Sequence, residues 1–111
     1  MEAYDYFVFQ DNATTTNTGQ NLSIIKGNQV TIYITGTSIN HTLTFDGCDS
    51  EGNWFNATAI GAKLPSINLA SSTTGINEVW VIDTSYWASI RINITSISDG
   101  YIRVVGKVVA V

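Results

Sequence analysis

Apolar and polar residues alternate with a period of two along most of this chain. In the segment 29–35 three apolar residues alternate with threonine and tyrosine, and in 86–94 isoleucines alternate with arginine and asparagine. Successive side chains of a β-strand point to opposite faces, so this pattern is typical of strands that are buried on one face. No window carries apolar residues at a convincing helical spacing. The pattern therefore restricts the chain to all-β folds.

About eight such segments follow one another, with turns rich in Gly, Asn and Ser between them. This arrangement predicts a single antiparallel β-sandwich, of the jelly-roll or immunoglobulin-like type, that covers residues 1–111. The sequence KGN (26–28) predicts a hairpin that joins the segments 21–25 and 29–35. Likewise, SISDG (96–100) predicts a tight turn that pairs the last two strands.

Composition narrows the possible partners. Charged residues make up 13% of the chain and the net charge is −4, so we expect neither nucleic-acid binding nor a basic membrane-binding surface. No apolar run is long enough to cross a membrane, and the start MEAYDYFVFQ reads as a strand and not as a signal peptide. The single cysteine excludes an intramolecular disulfide and fits folding in a reducing cytosol.

Residues for catalysis or metal binding are scarce. His41 is the only histidine, and it shares a strand face with apolar residues, so we expect a histidine at the edge of the core or at an interface, satisfied by a hydrogen bond. His41 and Cys48 alone do not provide the three or four ligands of a zinc or copper site. Asp46, Asp49 and Glu51 lie close together, yet without the spacing of a calcium loop. We therefore predict no enzymatic activity, no metal and no cofactor.

Aromatic side chains are the best candidates for binding. Trp87 falls on the strand face opposite the isoleucines of 90–94, and Tyr33, Tyr101 and Arg103 are further candidates. Trp54 follows a Gly-Asn turn, and we expect its indole to pack inward and anchor a strand.

Several motifs occur in a defined order. Leu22 to Gly36 contains Leu-x-Ile, Lys-Gly and an alternating strand, Thr42 to Gly47 reads Thr-Leu-x-Phe-x-Gly, and Gly52 to Trp54 is a Gly-Asn-Trp turn. The later motifs are Val81 to Asp83, Trp87 to Arg91 and Thr95 to Gly106. In this order the motifs resemble a small β-sandwich domain of tailed-bacteriophage virion proteins, found alone or appended to tail, baseplate and head-decoration chains. The resemblance implies a structural or adhesive module without enzymatic activity.

Two functions follow from these observations. In the first, the chain is a virion protein, assembled in the host cytoplasm, that binds other virion proteins and copies of itself. The last strand supports this function, because RVVGKVVAV (103–111) is apolar on both faces and therefore needs cover from a core and from a neighbour. In the second, the chain is a carbohydrate-binding module that attaches to a host glycan through its exposed aromatic residues.

Overall fold

The computed structural model of the chain describes residues 4–24, 28–63 and 66–110. Over these residues the chain forms eleven β-strands and one short 3-10 turn, Thr84–Tyr86. The strands are β1 (Tyr4–Ala13), β2 (Leu22–Ser23), β3 (Asn28–Gly36), β4 (His41–Cys48), β5 (Trp54–Asn56), β6 (Ala59–Lys63), β7 (Ser66–Ala70), β8 (Ser72–Thr73), β9 (Glu78–Ile82), β10 (Ser89–Ile97) and β11 (Ile102–Ala110).

The strands form two antiparallel sheets that pack face to face. Sheet A has the order β1-β11-β3-β9-β6-β7, and sheet B has the order β2-β10-β4-β5 with β8 paired to β4. The predicted all-β sandwich is therefore confirmed. The strand count exceeds the predicted eight because the single strand expected at 53–60 is replaced by β5 and β6, and because β7 and the two-residue β8 form in the segment 61–75, which was expected to be an irregular connection.

The core between the sheets is built from the residues that the alternation predicts. The side chains of Phe45 in sheet B and Trp80 in sheet A meet across it, with ring centroids 5.1 Å apart. Burying one such large apolar side chain stabilises the fold by roughly 1.5–3 kcal/mol. The fully buried apolar residues include Phe9, Val30, Ile32, Ile34, Leu43, Phe45, Ile90, Ile92, Ile94, Ile102 and Val104.

The same alternation gives each sheet an outer face, turned away from the core. On β11 the prediction of two apolar faces is confirmed: Ile102 and Val104 are buried in the core, whereas Val105 and Val109 lie half-buried on the outer face of sheet A. The outer face of sheet B is polar by comparison. Its residues include Thr44 and Asp46 of β4, Asn56 of β5, and Arg91 and Asn93 of β10.

Both predicted hairpins are wrong, because each turn connects the two sheets. Strand β2 pairs with β10 in sheet B, while β3 pairs with β11 and β9 in sheet A. Of the KGN turn between them, residues 26 and 27 lie outside the described residues. The SISDG segment leads from β10 in sheet B to β11 in sheet A, so these two strands do not pair. In each case the strands find hydrogen-bonding partners that are distant in sequence.

Asp99 fixes the end of the sandwich where the chain changes sheets. Its Oδ1 accepts hydrogen bonds from the Ser38 hydroxyl at 2.8 Å and from the backbone N–H of Asn40 at 3.0 Å. The backbone N–H of Ile39 donates to the same carboxylate at 3.2 Å. These donors, Ser38 first, stabilise the ionised form and lower the pKa of Asp99 below its ordinary value of 3.8.

Replacing Asp99 with alanine is expected to destabilise the fold at neutral pH, because three donors of the segment 38–40 lose their acceptor. A carboxylate with a lowered folded-state pKa stabilises the fold above its unfolded value, and this contribution is lost as the pH falls through the folded-state pKa. The difference between wild type and Asp99→Ala should therefore shrink once the pH falls below 3.8. Urea unfolding at a series of pH values tests this expectation. Asp5→Ala, at an exposed aspartate of β1, is the control.

Candidate functional site

Two of the four predicted binding residues share one surface. Tyr33 of β3 and Arg103 of β11 lie on the outer face of sheet A, and Tyr101 directly precedes β11. Tyr33 and Tyr101 are each 37% exposed. The Nη1 of Arg103 donates to Asp11 Oδ1 at 2.6 Å in an exposed ion pair. These residues are available at the surface of the described chain.

Trp87 lies apart from the other three, and its predicted orientation is wrong. It follows the 3-10 turn and precedes β10, so the strand alternation does not extend to it. Its half-buried indole packs against the core and covers Gly47, where an added Cβ would lie 2.2 Å from the ring. Its other neighbour is Phe55, stacked at a centroid distance of 6.2 Å. Trp87 therefore closes one margin of the core.

Trp54 is also placed differently from the prediction. Trp54 is the first residue of β5 and pairs with Cys48 of β4. The pair of Asn56 with Asp46 lies two positions further along, so its side chains point to the same face. This register puts the half-buried indole of Trp54 on the outer face of sheet B, where the guanidinium of Arg91 lies 4.0 Å from the ring centroid. The inward anchor expected at this position is thus wrong. Alternation in a strand of three residues gives too little pattern to determine which side faces the core.

Arg91 and Asp46 form the most buried charged pair that the structure describes. The Nε of Arg91 donates to Asp46 Oδ2 at 3.1 Å, and the two side chains are 19% and 8% exposed. The residues are direct partners in the pairing of β10 with β4. A buried carboxylate is costly unless it is paired with a cation. The pair therefore holds both side chains in one position on the sheet surface.

A shallow groove of about 400 Å³ surrounds this pair. It runs over β5, β4 and β10 on the outer face of sheet B. The groove could not be predicted from the sequence, because the register that aligns Asp46 with Arg91 cannot be deduced from either strand alone. The residues that line the groove are Thr44, Asp46, Trp54, Phe55, Asn56, Arg91, Asn93 and Thr95.

His41 is hydrogen bonded, as predicted, and its side chain is buried. It is 5% exposed, and its Nε2 lies 2.7 Å from the carbonyl oxygen of Gly75, so Nε2 carries the proton and donates. Its Nδ1 lies 3.0 Å from Ser38 Oγ. Since Ser38 in turn donates to Asp99, the order of contacts is Asp-Ser-His, which differs from a catalytic triad in which histidine is in the middle.

Cys48 lies at the opposite end of β4 from His41. At ~3.3 Å per strand residue the two positions are about 23 Å apart, so they cannot share a substrate or a metal. Cys48 is buried, and its thiol donates to the Asp49 carbonyl at 3.3 Å.

The carboxylates of Asp46, Asp49 and Glu51, which are close together in the sequence, have different surroundings in the structure. Asp46 pairs with Arg91 on the sheet, Glu51 is exposed, and Asp49 accepts hydrogen bonds from the backbone N–H groups of Glu51 and Asn53, both at 2.9 Å. Donation by Asn53 is the main cause that lowers the pKa of Asp49. Within residues 4–24, 28–63 and 66–110, no three His, Cys, Asp or Glu side chains are grouped closely enough to bind a metal ion. None of the helical structure in these ranges has the length and apolar character of a membrane span.

Comparison with known proteins identifies relatives along nearly the whole chain. The family model described as XepA matches residues 3–108. Among curated proteins, the SPbeta prophage-derived uncharacterized protein YomS of Bacillus subtilis (strain 168) is 28% identical over 105 residues, which cover 94% of this chain and 86% of that protein.

Solved structures share the fold. The crystal structure of the SPBc2 prophage-derived protein YomS has a TM-score of 0.89 at 24% identity and covers 99% of this chain and 96% of that one. The crystal structure of the PBSX exported protein XepA has a TM-score of 0.89 at 28% identity; the match covers 98% of this chain but 38% of that longer chain. The expected relationship to phage proteins is confirmed to the extent that the relatives are prophage-derived.

Proposed function

Because the chain belongs to the XepA family, which has prophage-derived members, we propose that it is a non-enzymatic structural protein of a phage virion. It is assembled in the host cytoplasm and acts as a head decoration or as a tail or baseplate component. It functions by packing against other virion proteins, first of all against copies of itself. The observation that carries this proposal is the apolar outer face of sheet A.

This face carries a row of apolar side chains across three neighbouring strands. Val81 of β9 pairs with Ile60 of β6, and Ile60 pairs with Leu69 of β7. Their exposed fractions are 36%, 40% and 70%. Contiguous apolar patches on the surface of a protein commonly mark an interaction site, because leaving them in water is unfavourable. A partner that covers this row removes apolar surface from water, which favours association.

The apolar row continues into the middle of sheet A. Tyr33 of β3 lies between Val79 of β9 and Val105 of β11, its direct partners in the sheet. Charged side chains occur toward the other edge, where Arg103 pairs with Asp11. The face is therefore apolar from β7 to β3 and carries an ion pair toward β1, which suits packing in a defined orientation. Because only 13% of the residues are charged, a second copy of the chain presents the same largely uncharged surface. A second copy is therefore a partner of matching chemistry.

The absence of enzymatic activity is part of the proposal and is supported by the placement of His41. Its ring is buried and both of its nitrogen atoms contact protein groups, so it is poorly placed to exchange protons with a substrate. The thiol of Cys48, the chain's only other strong candidate, is likewise buried.

Replacing Ile60 with lysine is expected to abolish self-association while the fold is retained, because the new charge stands in the centre of the apolar row. The mass of the assembly, measured by sedimentation velocity, should fall to that of a single chain. Ile39→Lys is a matched control: Ile39 is 76% exposed but lies in the β3–β4 connection, and its replacement should leave the assembly intact. A wild-type chain that stays monomeric at high concentration contradicts self-assembly.

Immunogold electron microscopy of phage particles tests the virion role directly. Antibody against this chain should label the head surface if the protein is a decoration, and the tail end if it is a tail or baseplate component. Particles assembled with Ile60→Lys should lose the label, and particles with Ile39→Lys should keep it. Absence of label from wild-type particles contradicts a structural role in the virion.

A further inference from the structure

The guanidinium of Arg91 is held in place on the outer face of sheet B by two different contacts. The central carbon of the guanidinium lies 4.0 Å from the ring centroid of Trp54, and Asp46 accepts a hydrogen bond from Nε at 3.1 Å. A free arginine side chain has many rotamers, and fixing it costs entropy. Here that cost is already met by the fold. A ligand that binds Arg91 therefore meets a donor group in a fixed position.

Most of the hydrogen-bonding capacity of Arg91 is unused. A guanidinium has five N–H donors, and the contact to Asp46 uses the one on Nε. Among the described residues neither Nη nitrogen has a protein partner, and the side chain is 19% exposed. The four remaining N–H groups can only donate, so a ligand must supply acceptor oxygens.

The groove around Arg91 offers complementary groups at short range. Asn56 and Asn93 present amides, each of which can donate and accept, and no other described residue binds these amides. Thr44 lies opposite Asn93 in the sheet and adds a hydroxyl. The volume of about 400 Å³ lies in the range of roughly 300–1,000 Å³ common for small-ligand sites.

We propose that this groove binds a neutral, hydroxyl-rich saccharide. Its hydroxyl oxygens accept from the Nη groups of Arg91, its hydroxyl protons are donated to the amide oxygens of Asn56 and Asn93, and an apolar face of the sugar ring contacts the accessible part of the Trp54 indole. The site differs from the predicted set of Trp87, Tyr33, Tyr101 and Arg103. It lies on the sheet opposite the apolar row and does not depend on the proposed virion role.

The charges of the groove favour a neutral ligand over an anionic one. Asp46 neutralises Arg91 at close range, and the whole chain carries a net charge of −4. An anion entering the groove is therefore repelled at long range and competes with Asp46 for the same guanidinium. A neutral hydroxyl group is not repelled by the net charge and does not compete with the Asp46 carboxylate.

Nuclear magnetic resonance of the indole N–H groups provides a local test. The full chain labelled with ¹⁵N is titrated with the methyl glycosides of glucose, galactose, mannose and N-acetylglucosamine, and separately with glucuronic acid and inorganic phosphate. At least one neutral glycoside is expected to shift the Trp54 indole signal in a saturable way. The indole N–H of Trp80 donates to Glu78 inside the protein at 3.0 Å, and its signal should not move.

Alanine variants of the two arginines can be compared directly, because each arginine forms an ion pair with an aspartate. Arg91→Ala should weaken sugar binding about tenfold or more, since it removes charged donors. Arg103→Ala should leave binding unchanged. Asn93→Ala removes a groove amide without unpairing Asp46, and it should weaken binding even if Arg91→Ala unfolds the chain.

Three results overturn the proposal: no neutral glycoside shifts the Trp54 signal, only glucuronic acid or phosphate shifts it, or binding persists unchanged in folded Arg91→Ala or in Asn93→Ala. A saturable Trp54 shift that both variants weaken supports it.

Discussion

Replacing Phe45 with alanine is expected to lower the free energy of unfolding by about 3–5 kcal/mol, the usual cost of removing a fully buried aromatic side chain. Phe45 is 0% exposed, and it contacts Trp80 of the opposite sheet at a centroid distance of 5.1 Å. The substitution removes one of the contacts that hold the two sheets together and leaves a cavity between them. Because small domains are stable by only about 5–15 kcal/mol, a large part of the stability should be lost.

Urea unfolding followed by far-ultraviolet circular dichroism measures this loss. Phe55→Ala is the matched control, since Phe55 is 53% exposed and stacks only on the margin residue Trp87. Its replacement should cost less than about 1.5 kcal/mol. Both variants are best compared in the Ile60→Lys background as well, because the proposed self-association would add to the apparent stability of the wild-type surface. Equal losses for Phe45 and Phe55 contradict the placement of the core.

A methyl group added at Gly47 is expected to destabilise the fold by about 1–3 kcal/mol through overpacking. The Cβ of Gly47→Ala would lie 2.2 Å from the Trp87 indole, far inside van der Waals contact, so the indole must move away from the core margin. Gly47 faces Ile90 and Phe55 in the pairing of its strand, and these neighbours limit how far the ring can shift.

A double-mutant cycle separates this clash from a general effect of the substitution. Trp87→Ala is destabilising by itself because it uncovers the margin of the core, but it also removes the ring that clashes. Adding Gly47→Ala to Trp87→Ala should therefore cost little. Additive losses from the two substitutions contradict a direct contact between Gly47 and Trp87.

The sequence predicted the core well because one-sided burial leaves a local signature. Val30, Ile32 and Ile34 alternate with polar residues inside nine residues of strand β3, and all three are fully buried. The two apolar faces of β11 could be recognised for the same reason. His41 was correctly expected on the core side of β4 because its neighbours at positions two and four further along are Leu43 and Phe45.

Strand partners could not be predicted, because pairing is a property of distant segments. The KGN and SISDG turns suggested local hairpins, yet both connect different sheets, and a short polar turn has the same composition in either case. The groove of sheet B depends on this missing information. Arg91 meets Asp46 and Trp54 only through the pairing of β10 with β4 and of β4 with β5.

The short strand β5 and the 3-10 turn explain the two misplaced tryptophans. Trp54 belongs to a strand of three residues, and Trp87 precedes its strand by two positions. A strand of three residues is too short to assign a face to Trp54, and the alternation of 86–94 in the sequence continues past the start of β10 and therefore assigned Trp87 to the wrong face.

The two outer faces of the sandwich have different chemistry and point in opposite directions. When copies associate through the apolar face of sheet A, each copy keeps its sheet B groove on the side away from that contact. Under both proposals, a particle that carries many such pairs displays outward-facing grooves at fixed spacing. Once one groove holds a polymer with repeating units, the next binding event is intramolecular, and the gain in avidity reaches about 10²–10⁴ over a single site. A groove of low individual affinity is therefore sufficient for firm but reversible attachment.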